Sequence, residues 1–470
     1  MKKIILMTFF ISALFSTEFD SEDGAPLRQG VHVEWFRTVS PGNSGEAIFI
    51  WSDTRFGMRN IFAHKVNQAG DLLWGETGTI VTNLPGRQED PVSISDGNGG
   101  VFIGWIDYRF DAEGDVFIQH LDSNGNILLD ENGIALALIP GKQISINMCT
   151  DSLGGVFVTW QDKRGGIDED IYGTHITANH DIISPGSGVP IVVAGGNQNA
   201  KSIEYAGNNE AFIAWVDYRD GANANIYGQR LDAIMTNQFE ENGIPIANTS
   251  NQELKPRVTF MSEETSFIVW KNGDQDSRLK YQLVDSEGLV FSESSFISDF
   301  NAIQTAPRVK RSAIGEVFVN WKDLRFDATD GDQYFQKIDI NGEIQWGEGI
   351  LLDENEFTNF SARFSAGQNG DVNIAYELGT FPNIEIMMQN ISSEGSFSFS
   401  TPLNISNKDG YQFAPNLIGT VESGLFVIYA DESSGSIDLK VQKVESGYLP
   451  SWDDNGITAM FGLGGDINYT

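Results

Sequence analysis

Eight aromatic residues recur along the chain at nearly constant spacing: Trp51, Trp105, Trp160, Trp215, Trp270, Trp321, Tyr376 and Tyr429, separated by 54, 55, 55, 55, 51, 55 and 53 residues. A period this regular restricts the chain to a repeat architecture, in which each unit buries its apolar faces only against copies of itself. The stretch GGVFIGWIDYRFDAEGDVFIQHLDSNG at 99–125 and its echo GGVFVTWQDKRGGIDEDIYGTHITANHD at 154–181 display the unit. A short strand, often opening with proline (Pro91, Pro256, Pro307, Pro415), ends at a Gly/Asn/Asp turn and precedes the strand bearing the aromatic. An acidic, glycine-containing loop leads to a third strand such as DVFIQHLD, and a tight turn enters a fourth such as NILLDENGIAL. Four short antiparallel strands per unit follow from this order of runs and turns.

The second strand decides how the units stack. Ile103 and Trp105 point to one face and Phe102 and Gly104 to the other, and the pairs Phe157/Val158, Phe212/Ile213, Phe267/Ile268 and Phe318/Val319 are apolar on both faces. A half-exposed antiparallel sheet would alternate apolar with polar residues, so both faces must be covered. Sheets stacked face to face around an axis meet that demand, and the predicted fold is an all-β propeller of about eight four-stranded blades. Seven blades is the alternative, if a terminal unit closes the ring or if GVHVEW at 30–35 pairs with the last blade. The expected organisation is a signal peptide over 1–17, a linker over 18–29, the propeller over 30–461 and a tail over 462–470. The blades fall near 30–83, 84–138, 139–193, 194–248, 249–300, 301–354, 355–405 and 406–461.

Two lysines followed by an apolar run from Ile4 to Phe15 have the form of a secretory signal and are too short to span a bilayer. A net charge of −35, from 65 acidic and 30 Lys plus Arg side chains, opposes nucleic acid and anionic membranes. The single cysteine, Cys149, permits no intrachain disulfide and reads as a buried thiol in a strand.

An Asp two residues after the aromatic and an Arg two residues later recur as Asp53/Arg55, Asp107/Arg109, Asp162/Arg164, Asp217/Arg219 and Asp323/Arg325. Catalysis needs a residue once, so repeated copies point to a blade part. The Asp is expected to hold the following turn through backbone N–H groups, with an exposed Arg pair adding roughly 0.2–1 kcal/mol. His64, His120 and His175 share one position on three different blades, so no zinc site is expected from them. The loops after the Asp/Arg pair crowd carboxylates around glycine: Asp111 and Asp115, Asp168 and Asp170, and Asp327, Asp330 and Asp332. Such oxygens suit calcium, and solvated hairpin tips of an acidic protein are the other reading.

Function is sought where the copies differ. Thirteen residues before each aromatic stand Thr38, Val92, Asn147, Ser202, Arg257, Arg308, Arg363 and Asn416. Three consecutive blades therefore place arginine at one point of the innermost strand, with Lys310 and Arg311 beside the middle one. Converging near the axis, three guanidiniums can hold one carboxylate, sulfate or phosphate through paired hydrogen bonds. Alternatively each neutralises an Asp of a neighbouring blade.

The units WVDYRDGANANIYGQRLD and WSDTRFGMRNIFAHKVNQAGDLLWGETG resemble those of secreted bacterial β-propeller repeat proteins with W-x-D-x-R and D-x-x-G-x-x-L-W blade motifs. That resemblance implies an exported or cell-surface protein, often with a C-terminal sorting domain; here SWDDNGITAMFG is followed only by LGGDINYT. There is also a faint similarity to sialidases, propellers with an arginine triad, although the hairpins lack the Ser-x-Asp-x-Gly-x-Thr-Trp form. The expected function is non-enzymatic binding or scaffolding by a monomeric propeller or part of a larger surface assembly, with an acidic glycan or a protein as partner. A glycan-active hydrolase or lyase using the arginines is the alternative, and it needs a distinguished acid/base pair beside them.

Overall fold

The computed structural model describes residues 34–461, apart from 44, 68, 70, 76, 222, 263, 274–276, 327–330, 354–361, 368, 407–409, 420–423, 433–437 and 446–456. Within them the chain forms eight antiparallel sheets, each built from strands consecutive in sequence. The second blade is typical, with strands Gln88–Ser95, Val101–Asp107, Asp115–Leu121 and Ile134–Ala137. The fifth sheet carries a divided outer strand, Gly288–Leu289 and Ser295–Phe296, both pairing with Arg278–Asp285. The described residues contain no helix, and so none long and apolar enough to cross a membrane.

The apolar second strands dictate the stacking. Val101–Asp107 and Val156–Asp162 are buried along their whole length, and the eight repeat aromatics are at most 1% exposed. Burying each contributes on the order of 3 kcal/mol. Instead of one central core there are eight, each between neighbouring blades. The last decides the blade count. Phe426, Ile428 and Val441 of the eighth blade pack against Ala47, Phe49, Trp51 and Phe62 of the first, so the ring closes at eight. Glu34 and Trp35 pair with Asp53 and Ser52 inside the first blade, not with the last. Among the described residues no blade borrows a strand from another, and the seam of blades eight and one is packed by side chains.

The first strands touch one another in sequence around the ring and line its axis. Their burial is mixed, as in Gln143–Thr150, because one face meets an open channel. The prolines do not open these strands, as the sequence suggested; they sit inside them, at a recurring β-bulge. Pairing skips between Glu89 and Val92, Leu254 and Arg257, Thr305 and Arg308, and Phe413 and Asn416. The first bulge residue has positive φ in Asp90, Ser145, Lys255, Ala306 and Ala414, between 52° and 55°. Proline follows in four of those five blades, where a residue without an N–H leaves no donor unpaired.

Candidate functional site

The Trp-x-Asp-x-Arg motif forms a buried unit, which corrects the expectation of an exposed ion pair. On a strand, residues two apart share a face, so the indole and carboxylate of Trp215 and Asp217 meet. Trp Nε1 donates to Asp Oδ2 at 3.0 Å in blade one, 2.8 Å in blade two, 2.9 Å in blade three, 2.7 Å in blade four and 2.9 Å in blade six. The Arg backbone N–H donates to Oδ1 of the same carboxylate at 2.8–3.0 Å. The guanidinium returns to that carboxylate and lies over the ring of the third strand, 3.6 Å from the Tyr172 centroid for Arg164 and 3.9 Å from Tyr227 for Arg219. The five Asp side chains are 0% exposed. Blade five keeps the arrangement by exchange: Glu253 replaces the Gln of the first strand, Asn272 replaces the Asp opposite it, and Trp270 Nε1 donates to Glu253 Oε2 at 2.7 Å. The carboxylate has moved across the strand pair and the amide has moved the other way; with its amide turned so that the NH2 faces the carboxylate, Asn272 donates back to Glu253 at 2.9 Å.

The three channel arginines are placed differently. The bulge turns the residue after it toward the axis, and Arg257 and Arg308 line a cavity of about 670 Å³ with Ser145, Asn147, Gln161, Lys201 and Lys255. Arg363 lines a second cavity of about 190 Å³ at the seam of blades eight and one, beside Thr38, Trp51 and Asn416. Arg257 donates to the Pro256 carbonyl at 2.8 Å and Arg363 to the Ala362 carbonyl at 3.2 Å. No carboxylate is in ion-pair contact with Arg257 or Arg308 among the described residues. Burial lowers the pKa of all three. For Arg308 it falls to about 10, through burial first and then the neighbouring charges of Arg363 and Arg257. All three still carry full charge at neutral pH. For Arg257 burial alone lowers it, for Arg363 burial acts against the pull of Glu377, and only at Arg308 do neighbouring like charges add to burial. By contrast Arg325, though buried, is raised by its hydrogen bond to Asp323.

Two cations of the channel and one acid near Arg363 escaped the sequence reading. Lys255 is the positive-φ bulge residue of blade five, and its pKa is lowered by burial and then by Lys271 and Arg257. Lys201 occupies the proline column in blade four. Glu377 directly follows the blade-seven aromatic, is 5% exposed, and accepts the Ala414 N–H at 2.6 Å. Burial pushes its carboxyl up to about 7, against the pull of Arg363.

The remaining sequence candidates stand apart. Lys310 and Arg311 are exposed further along the inner strand, where both act on the carboxyl of Glu204. Arg311 donates to the Met261 carbonyl at 3.2 Å and lies over Phe260. Asp111 caps its own loop, accepting from Glu113 and Gly114 at 2.7 and 2.9 Å. Asp168 accepts from Gly196 N–H at 3.2 Å. Asp115 and Asp170 are buried at the start of their third strands, and burial foremost pushes each up to about 6. Asp332 begins the equivalent strand of blade six, and Asp327 and Asp330 lie outside the described residues. No group of three or more His, Cys, Asp or Glu side chains among the described residues is arranged to hold a metal ion. His120 and His175 serve separate blade seams, facing Asp96 and Asp151 at 3.1 and 3.0 Å. Cys149 is buried, and burial raises its thiol well above the usual range.

No protein-family model and no curated protein matches the chain. Among solved structures it is similar to an ulvan lyase of a polysaccharide lyase family, bound to -[GlcA(1-4)Rha3S]-, at 8% identity and TM-score 0.49, covering 90% of this chain and 93% of that one. The propeller domain of the Trilobed protease from Pyrococcus furiosus, described as having an open velcro topology, gives 10% identity, TM-score 0.44 and coverage of 79% and 98%. A neuraminidase-like protein of A/little yellow-shouldered bat gives 11% identity, TM-score 0.36 and coverage of 64% and 92%. With TM-scores below one half these likenesses carry no argument about activity; the fold stands on the strand pairing and the eight interblade cores.

Proposed function

We propose that this protein is an exported binding propeller whose axial channel takes an anionic ligand, an acidic glycan foremost. One observation carries the reading. Arg257, Arg308 and Arg363 come from three consecutive blades, each influences or is influenced by the middle one, and no carboxylate is in ion-pair contact with the first two among the described residues. A protein of charge −35 has ample acid to neutralise them and does so for the five motif arginines. Cations left without acid in a partly buried channel are stabilised when a carboxylate or sulfate enters. Thr38, Asn147 and Asn416, on blades one, three and eight, supply neutral hydrogen-bonding groups suited to hydroxyls. Export follows from the lysines and apolar run that begin the chain. Binding to an array of neutral, carboxylated and sulfated glycans tests the reading. Retention of acidic glycans alone is expected, lost in a folded Arg257→Ala, Arg308→Ala, Arg363→Ala variant; retention unchanged by the three substitutions overturns it.

Glu377 favours a second reading, a glycan-active enzyme. It is the acid with a raised pKa beside Arg363, and a carboxyl near 7 is suited to proton transfer at neutral pH. Turnover of an acidic glycan, abolished by Glu377→Gln with binding retained, would select this reading over simple binding.

A further inference from the structure

Lys201 differs from the other buried lysines for which partners are resolved. Lys65 and Lys337 are 1% and 7% exposed and pair with Glu46 at 2.7 Å and Glu316 at 2.8 Å. Lys201 is 5% exposed and has no ion-pair contact among the described residues. Its ammonium donates to the carbonyl of Ser145, the bulge residue of the preceding blade. Glu169, the acid whose charge reaches it, is held instead by Gln161 at 2.7 Å and Lys163 at 3.1 Å. The lysine stands in the column where four blades carry proline, so the bulge itself does not require it. It lines the same cavity of about 670 Å³ as Arg257 and Arg308.

Resting on the anion-binding reading above, we infer that Lys201 is a reactive amine of the channel, placed to condense with the carbonyl carbon of a 2-oxo acid whose carboxylate Arg257 and Arg308 hold. Burial pushes the ammonium down to about 7, against the pull of Glu169. A large neutral fraction is therefore present at neutral pH, which is the activation a lysine nucleophile needs. The amine lone pair attacks the keto carbon to give a carbinolamine. The former carbonyl oxygen then leaves as water, taking both amine protons, and a C=N bond remains. No oxidant or further reactant is consumed. The 2-oxo acid class follows from the neighbours: an aldehyde alone would leave the guanidiniums unused, whereas a carboxylate on the adjacent carbon engages them while the carbonyl meets the amine.

The full chain is incubated with pyruvate and cyanoborohydride, which adds hydride to the imine carbon and fixes a carboxyethyl group on the nitrogen. Intact mass and peptide mapping then locate the group, while calorimetry follows pyruvate and lactate, the analogue with no carbonyl. One carboxyethyl group on the peptide bearing Lys201 is expected, reduced roughly tenfold or more by Arg308→Ala and by excess lactate. Because the mapping is made on the unaltered protein, the result does not depend on a Lys201 variant folding. Binding of both acids without an adduct, or with adducts spread over exposed lysines, overturns the reactive amine and leaves the anion site standing. An adduct on Lys201 indifferent to Arg308→Ala also overturns the inference as stated. Failure of both acids to bind, with no adduct, removes the anion site for small acids and the inference with it.

Discussion

Two sets of arginines divide this molecule. Arg55, Arg109, Arg164, Arg219 and Arg325 each lie against a fully buried Asp and over an aromatic ring, and they recur because every such blade needs the same corner. Arg257, Arg308 and Arg363 occur at one side of the ring and are lowered in pKa by burial, and the outer two repel the middle one. The first set shows what the chain does with a buried cation it uses for stability: it supplies an acid two residues away. In the second set a carboxylate is withheld from Arg257 and Arg308. Buried charge pairs and unpaired channel charges should therefore respond in opposite ways to deletion.

The largest effect is expected at the paired corner. Asp323→Ala strands the Trp321 indole, the Gln304 amide and the Arg325 guanidinium, which donate to its carboxylate at 2.9, 3.1 and 2.8 Å. Removing one partner of a buried pair leaves an uncompensated charge and costs about 3–5 kcal/mol. Urea unfolding measures the loss. A cost below about 1 kcal/mol, the range of an exposed pair, would return the motif to a turn device.

Glu377 comes next, and here the response depends on pH. Its pKa in the folded chain is about 7, above the 4.5 of an unburied glutamate, so between these values the folded state holds the proton and the unfolded chain does not. The group's contribution is fully present below pH 4.5 and is lost as the pH rises to about 7. At 1.36 kcal/mol for each pKa unit, the change is at most about 3 kcal/mol. Glu377→Gln should thus equal the parent near pH 4 and exceed it in urea midpoint at pH 8. A parallel pH dependence in both proteins would mean that the carboxylate is solvated in the fold.

Blade five sharpens the comparison at smaller scale. Glu253→Gln leaves two amides facing each other and no carboxylate for Trp270, a loss of about 1.5–3 kcal/mol. Adding Asn272→Asp recreates the Gln/Asp pair found at Gln304 and Asp323, and should restore most of the stability. A double variant as weak as the sum of its singles would show that the exchange is not reciprocal.

How much of this was legible in the sequence differs between the two sets. The period and the second strands, apolar on both faces, fixed the blade stack because they record the same packing demand eight times. The indole–carboxylate bond was legible too and was overlooked: Trp105 and Asp107 must share a strand face. The column of Arg257, Arg308 and Arg363 is legible because three neighbouring copies share one departure from the repeat. Glu377 is harder to see: it is the single acid in a column, Ser52, Ile106, Gln161, Val216, Lys271, Lys322, Glu377 and Ala430, in which no two neighbouring copies but Lys271 and Lys322 agree. Lys201 hid behind the prolines, which read as strand openings until the pairing showed a bulge. What no column reveals is desolvation: the sequence gives Lys201 and Lys65 the same side chain, and only the packing leaves one of them without a carboxylate.

The smallest effect on stability, and the one of opposite sign, belongs to Arg308. Arg308→Ala removes a charge repelled by Arg257 and Arg363, so at low salt the variant should be as stable as the parent or more stable by roughly 0.5–1 kcal/mol. Salt screens that repulsion, and the difference should shrink as sodium chloride is added. Sulfate should do more than screen. If it occupies the site it stabilises the folded parent by mass action, so the parent's melting temperature rises further in sulfate than in chloride of equal ionic strength, and Arg308→Ala loses most of that surplus. Melting curves of both proteins in the two salts decide the matter. A variant destabilised to the degree of Asp323→Ala would mean that Arg308 carries structural bonds of its own, and the division between the two sets of arginines would fail at its central member.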